Sequence, residues 1–398
     1  MFYCGIDIAK RSHEASVIDT EGKPLLDSIP ITNTQDGCEK LFSLFGRLNI
    51  AQPDVIIGME ATGHYWLAVY EHLTERGYDV RVINPIQSEA FRKMYIRQTK
   101  NDSKDSFIIA QVMRFGQYSE TTLSDENIVA MRQLTRFRMA LMDNCGDCKR
   151  RIIALLDQVF PEYEGLFSDT FGVTSKELLL QYPTPEDMLA VSSRKLTNLL
   201  NKASHGRFGE KKAKEIRTAA AGSFGVGFAK NAFSFQIRQL VEQLLFLENQ
   251  IDELDEQISH LLKQTNQVIT TIPGIGYTLG AIIISEIGDI HRFDAPGKLV
   301  AFAGLDVKVT QSGEFTGTKQ KISKRGSPYL RRAIWLAANR AAFCDPILSE
   351  YYQSLRARGK HHLTAVGAVS RKLCNIIFTI LRENRPYEAT PPKKEKST

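Results

Sequence analysis

Four acidic residues near the N-terminus are the strongest chemical signal in this sequence. Asp7 lies between Ile6 and Ile8 in GIDIA, and Glu60 ends the apolar run VIIGME. Alternation along a strand puts both isoleucines on one face and directs Asp7 to the other. Buried carboxylates are costly unless they are paired or bind a cation. Two of them on neighbouring apolar strands therefore indicate a functional site.

Asp102 and Asp105 complete the acidic set. Their spacing of three places both on one face of a helix, with Cβ atoms about 5 to 6 Å apart. Taken singly, Asp102 can simply favour a helix N-terminus and Asp7 can cap a turn. Four converging carboxylates repel one another, and Mg²⁺ resolves that repulsion because it is a hard cation that prefers oxygen ligands. The joint placement predicts that Asp7, Glu60, Asp102 and Asp105 hold Mg²⁺, which can stabilise the attacking and leaving oxygens at a phosphodiester.

The elements that must position these acids alternate strand and helix signals. FYCGIDIA, HEASVIDTEGK and PLLDSIPIT read as strands, and Thr34 or Asp36 can cap the helix that follows. Strand, helix, strand and helix come next, with Pro85 ending the last strand and Asn101 as a possible cap of the last helix. This is the order of the ribonuclease H-like (RuvC-like) α/β fold, which we predict for residues 1–120. GIDIAK with DTEGK also fits the phosphate hairpin of sugar kinases and actin, but the second phosphate loop of that fold is missing from the sequence.

The middle region, 121–262, is predicted to be helical with a coiled coil over 233–262. Apolar residues recur every seven positions in two registers, Ile237, Leu244, Ile251, Ile258 and Leu240, Leu247, Leu254, Leu261. This pattern favours a two-stranded parallel coiled coil and hence a homo-oligomer, a dimer or a tetramer. The core helix of a helical hairpin needs the same stripe. A basic Gly-rich segment between 202 and 217 fits either nucleic-acid binding or a solvated helix face.

Charge is distributed unevenly over the chain, whose formal net charge is +6. Residues 263–398 hold 21 Lys and Arg against 10 Asp and Glu, and residues 1–262 hold 30 against 35. A basic C-terminal third suggests a polyanionic partner. No segment has the apolar length of a membrane span or a signal peptide, so we expect a cytoplasmic protein. The six scattered cysteines indicate reduced thiols.

The C-terminal region, 263–388, is predicted to be mostly α-helical, with a disordered tail over 389–398. IPGIG between two apolar stretches is similar to a helix-hairpin-helix, in which Gly274 and Gly276 would turn the backbone. Free N–H groups at the start of the next helix can receive a phosphate. A plain turn between two helices fits the same residues.

An ordered series of motifs runs along the chain. GIDIAK, GMEATG, VINP and KNDSKD, then TIPGIG, FAGL, Ser312-Gly313, ISKRG and LRRA, resemble the DEDD-type insertion-sequence transposases. That family includes the Piv DNA invertases and the bridge-RNA-guided recombinases. The resemblance covers about residues 3–115 and 262–385. It departs from the family at KNDSKDS, where KTD and DA are common, and in the longer middle region.

The resemblance implies a C-terminal transposase domain whose nucleophile is Ser312, just after FAGL. A serine hydroxyl is a weak nucleophile, and Mg²⁺ on the acids would activate it if the two domains come together. It also implies a nucleoid-associated prokaryotic protein that recombines donor and target DNA through a phosphoserine, guided by a noncoding bridge RNA. A metal-dependent junction resolvase without a covalent intermediate and a non-catalytic architectural DNA-binding protein remain alternatives. The expected phosphate clamps are Lys319, Lys321, Lys324, Arg325, Arg331 and Arg332.

Overall fold

The structure is a computed structural model of the whole chain. It describes residues 1–61, 63–83, 85–93, 102–116, 118, 125–265, 268–307, 311–312, 315–316 and 322–389. Within these ranges the side chains of 86, 102–104, 311–312 and 315–316 are not described. The described chain forms two compact units, Met1–Leu123 (the N-terminal unit) and Ser124–Thr398 (the C-terminal unit). The finer division at residue 262 stays a prediction.

The N-terminal unit is a mixed α/β domain built on one five-stranded sheet. Its strands are β1 (Phe2–Asp7), β2 (Ser12–Ile18), β3 (Pro24–Thr32), β4 (Val55–Glu60) and β5 (Asp79–Ile83). Its described helices are α1 (Gln35–Arg47), α2 (Trp66–Glu75), α3 (Pro85–Arg92) and α4 (Asp102–Phe115). The sheet order is β3-β2-β1-β4-β5, with β1, β2 and β3 antiparallel and with β4 and β5 parallel to β1. The predicted order of strands and helices is therefore found, with α3 added.

Helices cover both faces of this sheet because its inner strands are apolar on both sides. The even-numbered residues of β1, Cys4 and Ile6, belong to the core cluster that includes α1 and α2. The odd-numbered residues face α4 instead, since Tyr3 packs in the α4 cluster with Ile109. The alternation predicted for the strand around Asp7 is therefore present. The predicted cap is also present, because Thr34 Oγ1 accepts a hydrogen bond from the Gly37 N–H at 3.2 Å.

The described part of the C-terminal unit is mostly helical. Its helices are α5 (Glu126–Val159), α6 (Val173–Gln181), α7 (Pro185–Ala190), α8 (Ser193–Ala203), α9 (Glu210–Ala221), α10 (Lys230–Gln264), α11 (Tyr277–Ile287), α12 (Pro296–Phe302), α13 (Pro328–Cys344), α14 (Pro346–Ala357) and α15 (His362–Glu383). Two short strands, β6 (Gln311–Ser312) and β7 (Phe315–Thr316), pair as a hairpin between α12 and α13. One core cluster joins α11 to α15 with the ends of α5 and α10, and another joins α5 to α10.

The heptad stripe of α10 packs against α5 within the chain, which is the helical-hairpin alternative of the sequence analysis rather than a seam between two chains. Ile237, Leu244, Ile251 and Ile258 are all buried, and they lie in the cores that α10 shares with α5. The two helices are antiparallel, as the ion pairs Arg138–Asp255 and Lys149–Glu248 require. A long helix in a hairpin needs the same stripe as a dimer, and here α5 supplies the partner. Oligomerisation itself stays a prediction, and it would have to use other surfaces.

The basic segment 202–217 is partly used for packing. Arg217 Nη1 donates to the carbonyl oxygens of Met188, Leu189 and Val191, at 3.2, 3.2 and 2.6 Å. This arginine therefore ties α9 to α7 rather than lying free for a partner.

Helix α15 changes one expectation from the sequence. Of the helices that the structure describes, α15 is the one that is long and apolar enough to cross a membrane. The sequence analysis did not anticipate such a helix. Its buried side, which includes Val366, Leu373 and Ile377, lies in the same core as α11 and α13. Packing in this core accounts for the apolar composition.

Candidate active site

Three carboxylates lie side by side across the sheet of the N-terminal unit. Asp7 ends β1 and pairs directly with Glu14 on β2. On its other side β1 runs parallel to β4 with Ile6 opposite Met59, and one further step along this register brings Asp7 opposite Glu60. Cross-strand partners share a face of the sheet. Glu14, Asp7 and Glu60 thus form a row on the face that α4 covers, and we call them the acidic row.

Glu14 is the member of this row that the sequence analysis missed. Its Oε2 accepts a hydrogen bond from Ser28 Oγ at 2.7 Å. Alternation in HEASVI gives Glu14 the same face as Ser16, whose hydroxyl lies 2.7 Å from that of Ser106 on α4. Only the register of β2 against β1 brings Glu14 beside Asp7, and register depends on pairing between distant segments.

Small residues let α4 lie directly on the strands that carry the acidic row. A Cβ at Gly5 would lie 2.1 Å from the Ser106 carbonyl oxygen and 2.4 Å from the Ala110 nitrogen. A Cβ at Gly58 would lie 2.4 Å from Cγ of Met113. Glycine inside a strand often marks such a close approach. Since Asp105 directly precedes Ser106, the start of α4 lies at the same end of the sheet as the acidic row.

Asp105 is buried and paired with an arginine. Its side chain is 8% exposed, and Oδ1 accepts a hydrogen bond from Arg92 Nη2 at 2.8 Å. Arg92 ends α3, also pairs with Glu89, and has a buried Nε with no hydrogen-bond partner in the described chain. The side chain of Asp102 lies outside the described residues. Among those that are described, no three acidic, His or Cys side chains are close enough together to hold a metal ion.

The candidate nucleophile lies in the other unit, on the hairpin of β6 and β7. Ser312 is the last residue of β6 and pairs with Phe315 at the start of β7. Its side chain, with Lys319 and Lys321, falls outside the described residues. What the structure does describe is the base from which this hairpin extends.

Two glycines hold the base of the hairpin together. A Cβ at Gly304 would lie 2.1 Å from the Arg325 carbonyl oxygen, and one at Gly326 would lie 1.9 Å from the Phe302 carbonyl oxygen. Both glycines have positive φ, +66° and +77°, which other residues rarely adopt. Backbone hydrogen bonds from Ser327 to Phe302 (3.0 Å) and from Lys324 to Gly304 (3.1 Å) close the same base. FAGL and SKRG, far apart as motifs, are therefore the two sides of one structure.

The expected phosphate clamps divide into two groups here. Lys324 and Arg325 are exposed at the base of the hairpin. Arg331 Nη1 donates to the Ala303 carbonyl oxygen at 3.3 Å, and Arg332 makes a bidentate pair with Asp143 at 2.8 and 3.0 Å. Arg332 lowers the pKa of the Asp143 carboxyl through these hydrogen bonds. Arg331 and Arg332 therefore already have protein partners.

The IPGIG turn differs from the expected hairpin of two helices. In the described chain a 3-10 turn, Ile269–Thr271, directly precedes it, and α11 follows. Gly274 has φ +91°, and a Cβ there would lie 2.9 Å from both the Ala337 oxygen and the Ala341 nitrogen of α13. Packing on α13 accounts for a glycine at this position, and the contact of Gly274 with a phosphate stays a prediction. Gly276 caps α11 and is exposed, and its role toward a phosphate stays a prediction.

Comparison with known proteins agrees with these features. A family model described as a transposase, of the DEDD type of IS110 elements, matches residues 4–161, which contain all four predicted metal ligands. A second, the transposase IS116/IS110/IS902 family, matches 266–353, which contain the hairpin of Ser312. The chain belongs to the IS110/IS116 family of DEDD transposases. It is therefore a transposase or recombinase, and DNA is its partner.

Relatives of this transposase family align over nearly the whole chain. The IS110 insertion-element 43.6 kDa protein of Streptomyces coelicolor is 24% identical over 395 residues, 98% of this chain and 96% of the relative. The pilin gene-inverting protein of Moraxella bovis is 24% identical over 387 residues, 97% of each chain. The transposase for IS1328 of Yersinia enterocolitica is 24% identical over 96% of this chain and 97% of its own length.

Membership of a DEDD family implies dependence on a divalent metal ion. The chemistry of the donor set suits such an ion, since Asp7, Glu60 and Asp105 offer hard carboxylate oxygens, although these described side chains do not converge closely enough to hold one as they stand. Only Oδ1 of Asp105 is hydrogen-bonded to Arg92, and a carboxylate has further lone pairs to give to a cation.

Proposed function

We propose that this transposase cuts and rejoins DNA through a covalent phosphoserine at Ser312, with Mg²⁺ held by Asp7, Glu60, Asp102 and Asp105. The observation that carries the proposal is the register of β1 and β4, which brings Asp7 and Glu60 to the same end of two parallel strands. Asp105 supports it as a buried carboxylate on the helix that lies against these strands. The strand order 3-2-1-4-5 supports a ribonuclease H-like (RuvC-like) fold for this unit.

The chemistry follows from what each group can do. Oγ of Ser312 attacks the phosphorus of a DNA phosphodiester, a P–O bond of the backbone breaks, and the departing DNA oxygen ends as a hydroxyl after taking up a proton. The hydroxyl of another strand then attacks the phosphoserine, the Ser312 P–O bond breaks and the serine regains its proton. Each step exchanges one P–O bond for another, so no ATP is needed. When bound, Mg²⁺ would stabilise the charge on the phosphoryl oxygens and lower the pKa of the serine hydroxyl.

The proposed partners are DNA, a noncoding RNA and further copies of this chain. The DNA phosphates beside the hairpin are contacted by Lys319, Lys321, Lys324 and Arg325, and by Arg331 and Arg332 on α13. Backbone N–H groups at Gly276, where α11 starts, are a further phosphate contact. A noncoding bridge RNA that pairs with donor and target DNA selects the sites. The protein acts as a homo-oligomer at the bacterial nucleoid in the cytoplasm. Two of its relatives are named as an insertion-element protein and as a pilin gene-inverting protein, and these names support strand exchange of this kind.

A suicide DNA substrate, nicked so that the cleaved strand dissociates, tests the mechanism. The parent chain is expected to form a denaturation-resistant protein–DNA adduct that depends on Mg²⁺, and Ser312→Ala should abolish it. Ser354→Ala, which changes an exposed serine of α14 away from the hairpin and its base, is the matched control. An adduct that persists in Ser312→Ala would refute the serine assignment, and metal-dependent hydrolysis without any adduct would identify a nuclease instead. An adduct that forms equally with Glu60→Gln would refute the metal site.

A further inference from the structure

A cavity in the helical part of the C-terminal unit lies beside the basic segment 202–217. It has a volume of about 280 Å³ and is bounded by the segment before α6, the start of α6 and the turn after α8. Phe167 and Phe208 line it with aromatic rings that pack edge to face, with their centroids 5.8 Å apart. Pockets for drug-sized ligands have volumes of roughly 300 to 1,000 Å³, so this cavity suits one small planar group.

Two cationic side chains lie over these rings. The guanidinium carbon of Arg207 is 5.5 Å from the centroid of the Phe208 ring, and Lys212 Nζ is 5.1 Å from the centroid of Phe167. Arg207 is exposed, and no carboxylate of the described chain forms an ion pair with it. Lys212 pairs with Glu215 at 2.9 Å, but Glu215 is half exposed, and such a pair contributes little free energy. An anion near the rings can therefore use Arg207 directly and Lys212 in exchange for Glu215.

The cavity also offers hydrogen-bonding groups. Thr174, at the start of α6, is only 7% exposed, yet its hydroxyl makes no hydrogen bond within the described chain. A buried hydroxyl without a partner is unfavourable, and a ligand that bonds it removes that cost. Asp169 accepts a hydrogen bond from the Phe171 N–H at Oδ1, at 2.9 Å, and its Oδ2 is left for a donor. These two groups suit the edge of a nucleobase, where amino groups donate and ring nitrogens and carbonyl oxygens accept.

The fold holds both aromatic walls of the cavity in place. The Phe208 N–H donates to Ser204 Oγ at 2.8 Å, which fixes the turn after α8. Phe167 packs against the buried Tyr163, whose hydroxyl lies 2.7 Å from that of Ser175 in α6. A ligand therefore loses little free energy to the ordering of these side chains.

We propose that this cavity binds one unpaired nucleotide of a nucleic-acid strand, with its base against Phe167 and Phe208 and its phosphate at Arg207 and Lys212. Aromatic rings beside cations hold single strands, because every base has a π face and every nucleotide has a phosphate. A base in a duplex is paired and stacked, so it cannot enter the cavity. Single-stranded DNA and RNA share this chemistry. The inference goes beyond the proposed function and does not depend on the step at Ser312.

Binding of labelled single strands tests the aromatic wall. The full chain with Ser312→Ala, in which no covalent step contributes, is titrated with a short DNA strand, an RNA strand of the same sequence, a DNA duplex and a DNA strand without bases. Phe208→Leu should weaken binding of the single strand roughly fivefold or more, because leucine keeps an apolar side chain but not the stacking ring. Its affinities for the abasic strand and for the duplex should equal those of the parent.

The salt dependence of the same binding tests the phosphate contact. Arg207→Gln should weaken binding of single strands with and without bases. It should also lower the slope of log K against log salt by about 0.7, the value for one lost phosphate contact of a single strand. The matched controls are Phe246→Leu on α10 and Arg358→Gln at the end of α14, which change an exposed phenylalanine and an exposed arginine outside the cavity.

Each outcome decides the inference. A loss with both DNA and RNA supports a site for either strand, and a loss with one of them supports the site and identifies its ligand. Equal affinities of Phe208→Leu and Phe246→Leu for single strands would overturn the inference, as would an equal loss with the abasic strand or a parent chain that binds no single strand. If Phe208→Leu does not fold, an unchanged salt slope in Arg207→Gln overturns it instead. Normal adduct formation by Arg207→Gln in the chain that keeps Ser312 would show that only this inference fails.

Discussion

At the scale of single residues, the ion pair between Arg92 and Asp105 allows a carboxylate to be buried beside the sheet. Both side chains are largely removed from water, at 16% and 8% exposure, so neither is stable alone. Arg92, at the end of α3, balances the negative charge of Asp105 through a hydrogen bond to Oδ1. The other carboxylate oxygen, Oδ2, is then left for a cation. If Asp105 is a metal ligand, as we propose, the pair holds its carboxylate in place before the ion binds, as partners of metal ligands commonly do.

Arg92→Gln should lower the free energy of unfolding by about 3 to 5 kcal/mol without metal, because it leaves a buried carboxylate unpaired. Added Mg²⁺ should restore more stability to this variant than to the parent, since the cation then supplies the missing charge. Urea unfolding with and without MgCl₂ measures both effects. Arg76→Gln breaks the exposed pair with Glu39 and should cost at most about 1 kcal/mol. Equal losses in the two variants, or no added benefit from Mg²⁺, would contradict the interpretation.

At the scale of elements, α4 and the three central strands act as one unit. Gly5 and Gly58 have no side chains that would keep the helix away from the sheet. The hydroxyls of Ser16 on β2 and Ser106 on α4 lie within hydrogen-bond distance of each other. The carboxyl ends of β1 and β4 then lie beside the start of α4. The distance between helix and sheet thus controls how closely Asp105 approaches the acidic row.

Gly5→Ala should push α4 away from the sheet, because the new methyl group would meet backbone atoms that have no freedom to move aside. Overpacking of this kind costs about 1 to 3 kcal/mol, and the amides of α4 should exchange faster with deuterium. Chemical unfolding and hydrogen exchange measure the two effects. Gly46→Ala on α1 is the control, since a Cβ there meets nothing within 4 Å and alanine favours a helix. Equal free energies of unfolding and equal exchange rates in the two variants would show that Gly5 is not needed for α4 to pack on the sheet.

At the scale of the whole molecule, the longest helices form an intramolecular hairpin. α5 and α10 run antiparallel and contribute to both cores of the C-terminal unit. The core that holds Met131 and Met139 of α5 also holds α13, which begins at the base of the Ser312 hairpin. The hairpin of long helices therefore supports the region of the predicted nucleophile from within the same chain.

Leu244→Ala should destabilise the C-terminal unit by about 2 to 5 kcal/mol, because it opens a cavity between α10 and α5. The resulting fall in Tm, relative to the parent, should not depend on protein concentration, since the seam lies within one chain. Calorimetry over a range of concentrations measures this. Phe246→Ala, on the exposed side of α10, should change stability by no more than about 0.5 kcal/mol. A Tm difference for Leu244→Ala that shrinks on dilution would revive the dimer seam.

Local patterns in the sequence determined the elements and the faces of their residues. Alternation around Asp7, the cap at Thr34 and the stripe of α10 are set by neighbours a few positions away, so they were predictable. α3 was missed because Pro85 was taken as the end of a strand, although proline also suits the first turn of a helix. The family motifs in addition predicted the chemistry.

Only the tertiary structure decided which distant residues meet. Strand register placed Glu14 beside Asp7, packing chose α5 rather than a second chain as the partner of α10, and the fold paired Arg92 with Asp105. These choices depend on contacts between segments far apart in the chain, and a periodic pattern is compatible with several partners. The physical reason is that a pattern specifies which face is apolar, whereas the free energy of burying that face against every available surface selects its partner.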